Sequence, residues 1–192
     1  MNHLSFAIVC SANMNRSMEA HAFLIKKGFN VKSYGTADKV RLPGLTFDSP
    51  NCYDFGTPYQ DIYNDLVKQN KEFYNKNGIL HMLQRNKLIK PSPERLQETS
   101  EQFDIIITCA EKVYDQVIEW LEARKRVTNH PVHIVNMEIV DTHDEAMIAA
   151  FVISDLAKEM VLAQDLDEDI GELLKHFESK CHRQLLFCTM YY

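Results

Sequence analysis

Cys10 and Arg16 stand six positions apart in the stretch Cys10-Ser11-Ala12-Asn13-Met14-Asn15-Arg16-Ser17. If that stretch joins a buried strand to a helix, the thiol lies at the floor of a concave loop and the guanidinium on its wall. Backbone N–H groups of such a turn converge on the concavity, and the helix start adds its positive end. Arg16 adds forked donors that match two oxygens of one phosphate group. The ligand this suits is a phosphate dianion, cradled by Ser11, Ala12, Asn13, Met14, Asn15, Arg16 and Ser17. A thiolate is the reactive form of cysteine, and a helix N-terminus with a nearby arginine favours it, so Cys10 is the candidate nucleophile. Asn13 and Asn15 are placed to brace the loop, and Ser17 to hydrogen-bond the sulfur as it leaves. Cysteine and arginine at this spacing form a weak pattern by themselves. The bland alternative is a half-buried cysteine beside a solvated arginine, and the flanking elements decide against it.

Those elements follow from patterning. Leu4 to Val9 is a short apolar run that reads as a buried strand. From Ser17 the residues Met18, His21, Ala22 and Ile25 recur at helical spacing, Lys26 and Lys27 suit the helix C-terminus, and Gly28 caps it. Phe29 to Tyr34 reads as a second strand, which completes a βαβ unit with the loop at the carboxyl end of its first strand. Pro43, Pro50, Pro58, Gly35, Gly44 and Gly56 mark 35–58 as a long surface loop. Helices are expected over Tyr59 to Phe73 and Ile79 to Leu88, and a Pro-bracketed turn at Lys90 to Glu94 leads into a short helix. Alternation then resumes with a strand over Phe103 to Cys109, a helix over Val113 to Arg124 and a strand over Val132 to Val135. Helices over Ala146 to Val161 and Ile170 to Phe177 and a late strand over Leu185 to Cys188 close the chain. The expectation is one doubly wound α/β domain over residues 1–192, its sheet mostly parallel, with an inserted helical and loop region at about 35–100.

Expelling a serine or tyrosine oxygen needs a proton, and no spacing rule locates its donor. The best stretch is Asn136 to Glu145, carboxylate-rich and just beyond a strand end, where α/β sheets face their ligands. Glu138, Asp141, Asp144 and Glu145 are the candidates, and each also reads as a residue that solvates a loop or caps the next helix.

Composition narrows the classes. A net charge of -6 supplies no bulk positive field for nucleic acid or an anionic membrane, so any anionic ligand must be captured locally. No apolar run approaches the roughly 18 residues of a membrane span, and the opening Met1-Asn2-His3-Leu4 lacks the features of a signal peptide, which points to cytoplasm or nucleus. The five cysteines, Cys10, Cys52, Cys109, Cys181 and Cys188, form no close pair, and His130 and His133 have no ligand cluster beside them. Neither a disulfide framework nor a metal site is expected, and the chemistry outlined above needs no cofactor.

The chain resembles the RNA polymerase II C-terminal-domain phosphatases related to the low-molecular-weight tyrosine phosphatases. The resemblance is carried by Val9 to His21, Ser33 to Thr36, Leu42 to Gly44, Tyr53 to Phe55, Tyr63 to Leu66, Asn77 to Leu83, Lys90 to Arg95, Val113 to Val117 and Pro131 to His133 and ends near Tyr191-Tyr192, so these stretches are spread along essentially the whole chain. It implies a low-molecular-weight phosphatase-like fold and a cysteine-dependent protein-serine/threonine phosphatase. The implied substrate is the phosphorylated C-terminal domain of RNA polymerase II, chiefly the fifth-position serine of its heptads with the following proline in cis. It further implies a nuclear role in transcription and mRNA 3′-end processing, a symplekin-type scaffold as partner, and no direct contact with nucleic acid or membrane. By position, Cys10 is the nucleophile, Arg16 the phosphate clamp and Asp141 the general acid, while Arg41, Leu42, Pro43 and Met82 wall the substrate proline. There are two departures from the family pattern: Arg41 stands where lysine is expected, and Met137-Glu138 where an aspartate usually follows the first hydrophobic residue. Arginine and lysine differ in donor geometry, so substrate affinity is the property at stake.

Rival readings are a tyrosine phosphatase or an arsenate reductase on the same loop, and a non-catalytic phosphopeptide-binding module. The reductase needs resolving thiols, and neither Cys52 nor Cys109 has a partner at motif spacing. The tyrosine phosphatases carry an acid near their C-terminus, and Met190-Tyr191-Tyr192 holds none. A binding module has no use for Cys10, Arg16 and Asp141 together.

Overall fold

The structure, a computed structural model, describes residues 3–192. Its frame is a sheet of five strands: β1 (Ser5–Cys10), β2 (Asn30–Gly35), β5 (Ile105–Thr108), β6 (Pro131–Met137) and β7 (Leu185–Tyr191). The spatial order is β2-β1-β5-β6-β7, parallel except for β7, which runs antiparallel to β6. The near-continuous apolar runs of β1 and β5 follow from burial on both sheet faces.

The helices divide between those faces. α1 (Arg16–Lys26), α5 (His143–Leu162) and α6 (Leu166–Cys181) cover one side, packing Ala20, Leu24, Ile153, Met160 and Phe177 against Phe6, Ile8 and Ile107. α4 (Glu111–Ala123) covers the other, where Val113, Val117 and Leu121 meet Ala7, Val9 and Ile106. Neighbours along β1 thus enter different cores, as period-two alternation requires. α1 ends as its sequence foretells: Phe29 N donates to Leu24 O and Gly28 N to Ile25 O, with Gly28 at φ 84°.

Between β2 and β5 the chain builds a third cluster. β3 (Val40–Leu42) pairs antiparallel with β4 (Asn51–Tyr53), and α2 (Tyr59–Lys76) and α3 (Ile79–Lys87) pack on them around Tyr59, Ile62, Leu66, Tyr74 and Leu83. Met14 and Met18 join this cluster, so the insertion is fastened to the candidate phosphate loop.

Several boundaries differ from the patterning. Residues 35–58 are not all loop, since they hold the β3–β4 hairpin; strands of three residues are too short for alternation to register. The helix expected after Pro93 is a 3₁₀ turn at Leu96–Glu98. β6 continues through Asn136 and Met137, and the buried Asn136 accepts a hydrogen bond from Thr108 Oγ1 at 2.8 Å. α5 starts at His143, so Asp144 and Glu145 belong to its first turn rather than to a loop.

Candidate active site

β1 delivers Cys10 to the carboxyl edge of the sheet, and the chain then turns through 11–15 into α1. Thr36 N donates to Cys10 O at 3.2 Å and to Ser11 O at 3.1 Å, which fastens the first turn of the loop to the end of β2. Gly35 makes that approach possible: a Cβ there would lie 2.6 Å from Ser11 O and 2.8 Å from the Phe55 ring. Asn13 takes a left-handed backbone, φ 54°, a conformation that asparagine tolerates better than most residues.

Asn13 is fully buried and every polar atom of its side chain is used. Its Oδ1 accepts from Glu94 N at 3.0 Å, while Nδ2 donates to Ser17 Oγ and to Ser33 Oγ, both at 3.1 Å. Tyr59 donates its hydroxyl to Asn13 O at 2.7 Å. Ser17 Oγ, which accepts from Asn13, also lies 3.0 Å from Cys10 Sγ, where its hydroxyl can donate to a thiolate. Behind Ser33 lies His21, whose Nδ1 is 2.8 Å from Ser33 Oγ. Burial, aided by the Lys90 ammonium, holds the His21 pKa down at about 4, so the ring is neutral around pH 7.

Arg16 is anchored through one amino group: Nη1 donates to Ile139 O at 2.9 Å and to Cys109 O at 3.2 Å. Its Nε is buried, has no hydrogen-bond partner among the described residues, and lies 3.5 Å from Asp141 Oδ1. The guanidinium edge left over is the fork that a phosphate needs. Asn15 Nδ2 donates to Asp141 Oδ1 at 2.9 Å and to Thr142 O at 3.2 Å, joining the loop to the segment between β6 and α5.

α3 supplies bracing that the sequence did not reveal. Arg85 ion-pairs through Nη1 with Glu19 and donates from Nη2 to Met14 O at 3.1 Å; Asn86 Nδ2 donates to the same carbonyl at 2.8 Å. Burial lowers the Arg85 pKa to about 10, which leaves it protonated at neutral pH. In the sequence Arg85 and Asn86 look like ordinary polar residues of an amphipathic helix; it is the fold that buries Asn86 completely.

These groups open into a cavity of about 440 Å³, the size of a small-ligand pocket. Cys10, Arg16 and Asp141 line it, and so do Arg41, Leu42, Pro43 and Met82 from the insertion. Of the loop, Ala12, Met14 and Asn15 also reach it, whereas Asn13 and Ser17 brace it from behind and Ser11 is exposed. Among the four carboxylates, Asp141 is the one that lines the cavity. Glu138 accepts from Glu111 N at 2.8 Å at the start of α4, and Glu145 pairs with Arg183 at 3.1 Å. His143, also missed in the sequence, faces the insertion across the cavity mouth, with Nε2 3.3 Å from Asn77 O. Among the described residues no group of three or more His, Cys, Asp or Glu is placed to hold a metal ion.

A cysteine at the end of a parallel strand, six residues before an arginine at a helix start, defines a doubly wound α/β protein with a cysteine-phosphatase type of phosphate loop. The chain belongs to the Ssu72-like protein family, whose model matches residues 4–192. It is 51% identical over 189 residues to the RNA polymerase II C-terminal domain phosphatase SSU72 of Homo sapiens, spanning 98% of this chain and 97% of that one. It is 47% identical over the same length to the human SSU72 like protein 2. Among solved structures, that of Drosophila melanogaster Ssu72 with symplekin, bound to a cis peptidomimetic CTD phospho-Ser5 peptide, superposes with TM-score 0.97 at 52% identity and covers 100% of both chains.

Proposed function

We propose that this chain is a cysteine-dependent protein phosphatase that removes phosphate from serine in the heptad repeats of the RNA polymerase II C-terminal domain, chiefly the fifth-position serine preceding a cis proline. The observation that carries the reading is a single cavity shared by Cys10, Arg16 and Asp141 on one wall and Arg41, Leu42, Pro43 and Met82 on the other. The first set handles a phosphate; the second supplies an apolar wall with one cation for the residues beside it. The Drosophila relative, alike over its full length, was crystallised with such a peptide and with symplekin, which supports the same substrate and a symplekin-type scaffold as partner here. That substrate supports a nuclear location and a role in transcription and mRNA 3′-end processing. The phosphatase domain comprises residues 1–192.

In the first step Cys10 Sγ attacks phosphorus, and the S–P bond forms as the serine Oγ–P bond breaks. Arg16 and the loop amides hold the equatorial oxygens, and Asp141 protonates the departing serine oxygen. In the second step water attacks the phosphocysteine, Asp141 takes its proton, and the Ser17 hydroxyl stabilises the departing thiolate. No metal or cofactor enters either step. A panel of synthetic heptad peptides, each phosphorylated at one serine, threonine or tyrosine, tests the proposal. Phosphate release should be fastest from the fifth-position serine; release from tyrosine alone would overturn the reading in favour of a tyrosine phosphatase.

A further inference from the structure

Cys10 has a neighbour that its sequence position conceals. β1 and β5 pair in register Phe6↔Ile105, Ile8↔Ile107 and Val9↔Thr108, and Cys109 N continues the ladder by donating to Val9 O at 2.9 Å. The next pair in that register is Cys10 opposite Cys109. Both side chains enter the same core with Phe6, Ile8, Ile105 and Ile107, so both thiols lie on one sheet face. Adjacent strands run about 4.8 Å apart, inside the Cα separation of about 4.4–6.8 Å that a disulfide spans.

We propose that Cys109 is a resolving cysteine which, once a hydroperoxide has oxidised Cys10, forms a reversible Cys10–Cys109 disulfide that protects the nucleophile. The inference rests on the reading of Cys10 as the reactive thiolate. Cys10 Sγ attacks a peroxide oxygen, the O–O bond breaks, sulfur gives up two electrons, and the products are a sulfenic acid and a hydroxide or alkoxide that takes a proton from water. Cys109 Sγ then attacks the Cys10 sulfur: the S–S bond forms, the S–O bond breaks, and the hydroxide leaves as water with the Cys109 proton. An external dithiol reverses the link by thiol–disulfide exchange and is itself oxidised.

The surroundings assign the two thiols different roles. Cys10 lines the cavity and meets dissolved peroxide. Cys109 is wholly buried, and its thiol is pushed well up by burial and by the neighbouring Cys10, so it stays protonated and is not oxidised first. The other cysteines lie elsewhere: Cys52 on β4, Cys181 at the end of α6, and Cys188 on β7 against the opposite core. Cys109 also presents its carbonyl to Arg16, so closure acts beside the phosphate clamp.

The test treats the purified protein with hydrogen peroxide, alkylates it in denaturant, and reads intact mass, peptide map and activity before and after dithiothreitol. The wild type should lose two hydrogens, yield a Cys10–Cys109 linked peptide, and regain most of its activity on reduction. Cys109→Ala should instead carry Cys10 on to sulfinic acid and regain several-fold less. Should Cys109→Ala fail to fold, the wild-type map decides alone. Peroxide inactivation with Cys10 found as sulfinic acid, or linked to Cys52, Cys181 or Cys188, overturns the proposal and leaves the phosphatase reading standing. Modification of Cys10 with activity intact overturns both.

Discussion

Asn15 Nδ2 donates to Asp141 Oδ1 at 2.9 Å, so one oxygen of that carboxylate is committed to the loop between Cys10 and Arg16. Arg16 Nε faces that same oxygen at 3.5 Å. Oδ2 is therefore the oxygen left free for the proton transfer proposed for Asp141. The proposed acid and the proposed phosphate clamp are thus held in one frame.

Asp141→Asn should cripple hydrolysis of phosphoserine peptides while sparing much more of the activity on p-nitrophenyl phosphate. A serine oxygen departs as a strongly basic alkoxide unless protonated, whereas nitrophenolate departs unaided. Loss of a positioned acid costs about 10²- to 10⁴-fold when the leaving group needs it. Glu138→Gln, Asp144→Asn and Glu145→Gln are controls from the same segment. If one of them shows the selective defect and Asp141→Asn does not, the acid is another residue.

Asn86→Ala and Arg85→Lys should both slow turnover by loosening the loop at Met14. Each removes a buried donor from the Met14 carbonyl, and lysine has no fork to hold Glu19 and that carbonyl at once. Each should cost about 1–3 kcal/mol of stability, and kcat should fall more than KM rises because substrate contacts are untouched. Chemical denaturation and steady-state kinetics check both; unchanged kcat in both variants contradicts the bracing role.

Stability should fall with acid between two limits set by His21. The unfolded chain protonates this ring near its ordinary 6.5, but the fold resists until about 4, because burial and Lys90 oppose the charge while Glu94 favours it. In that window the unfolded chain holds the extra proton, so lowering the pH destabilises the fold, by up to about 3 kcal/mol from this group. Urea titrations of wild type and His21→Gln across the window should show a shallower pH slope for the variant; equal slopes contradict the assignment.

Gly78→Ala should strain the cavity mouth. Gly78 sits at φ 81°, and an added Cβ would lie 2.7 Å from His143 Nε2, two residues along the chain from the acid. Beyond a backbone cost of about 1–2 kcal/mol, displacement of His143 should disturb Asp141. The variant should lose more activity on phosphoserine peptide than on p-nitrophenyl phosphate; an equal loss on both would show that the acid is unmoved.

The chain wrote some of this plainly and some not at all. Cys10 and Arg16 were legible because a strand, a turn and a helix follow one another locally, each with its own period. Arg41, Leu42, Pro43 and Met82 came from resemblance alone, and the fold brings all four to the cavity. Patterning alone left Asp141 among four acids and resemblance singled it out; in the fold Asp141 lines the cavity while Glu138 and Glu145 turn to other partners. Arg85, Asn86 and the Cys10–Cys109 neighbourhood were invisible, because they depend on strand register and on packing between segments far apart in sequence.

The central claim is that Cys10 carries phosphate during turnover, and trapping that phosphate tests it most directly. Enzyme mixed with a radiolabelled phospho-heptad peptide and quenched within one turnover should carry label on the peptide that contains Cys10. Cys10→Ser should bind the same phosphopeptide, carry no label, and retain no more than a few per cent of the wild-type rate, since Arg16 and the loop amides hold the group while the thiolate makes the bond. Label on any other residue, or brisk turnover by Cys10→Ser, would contradict the account.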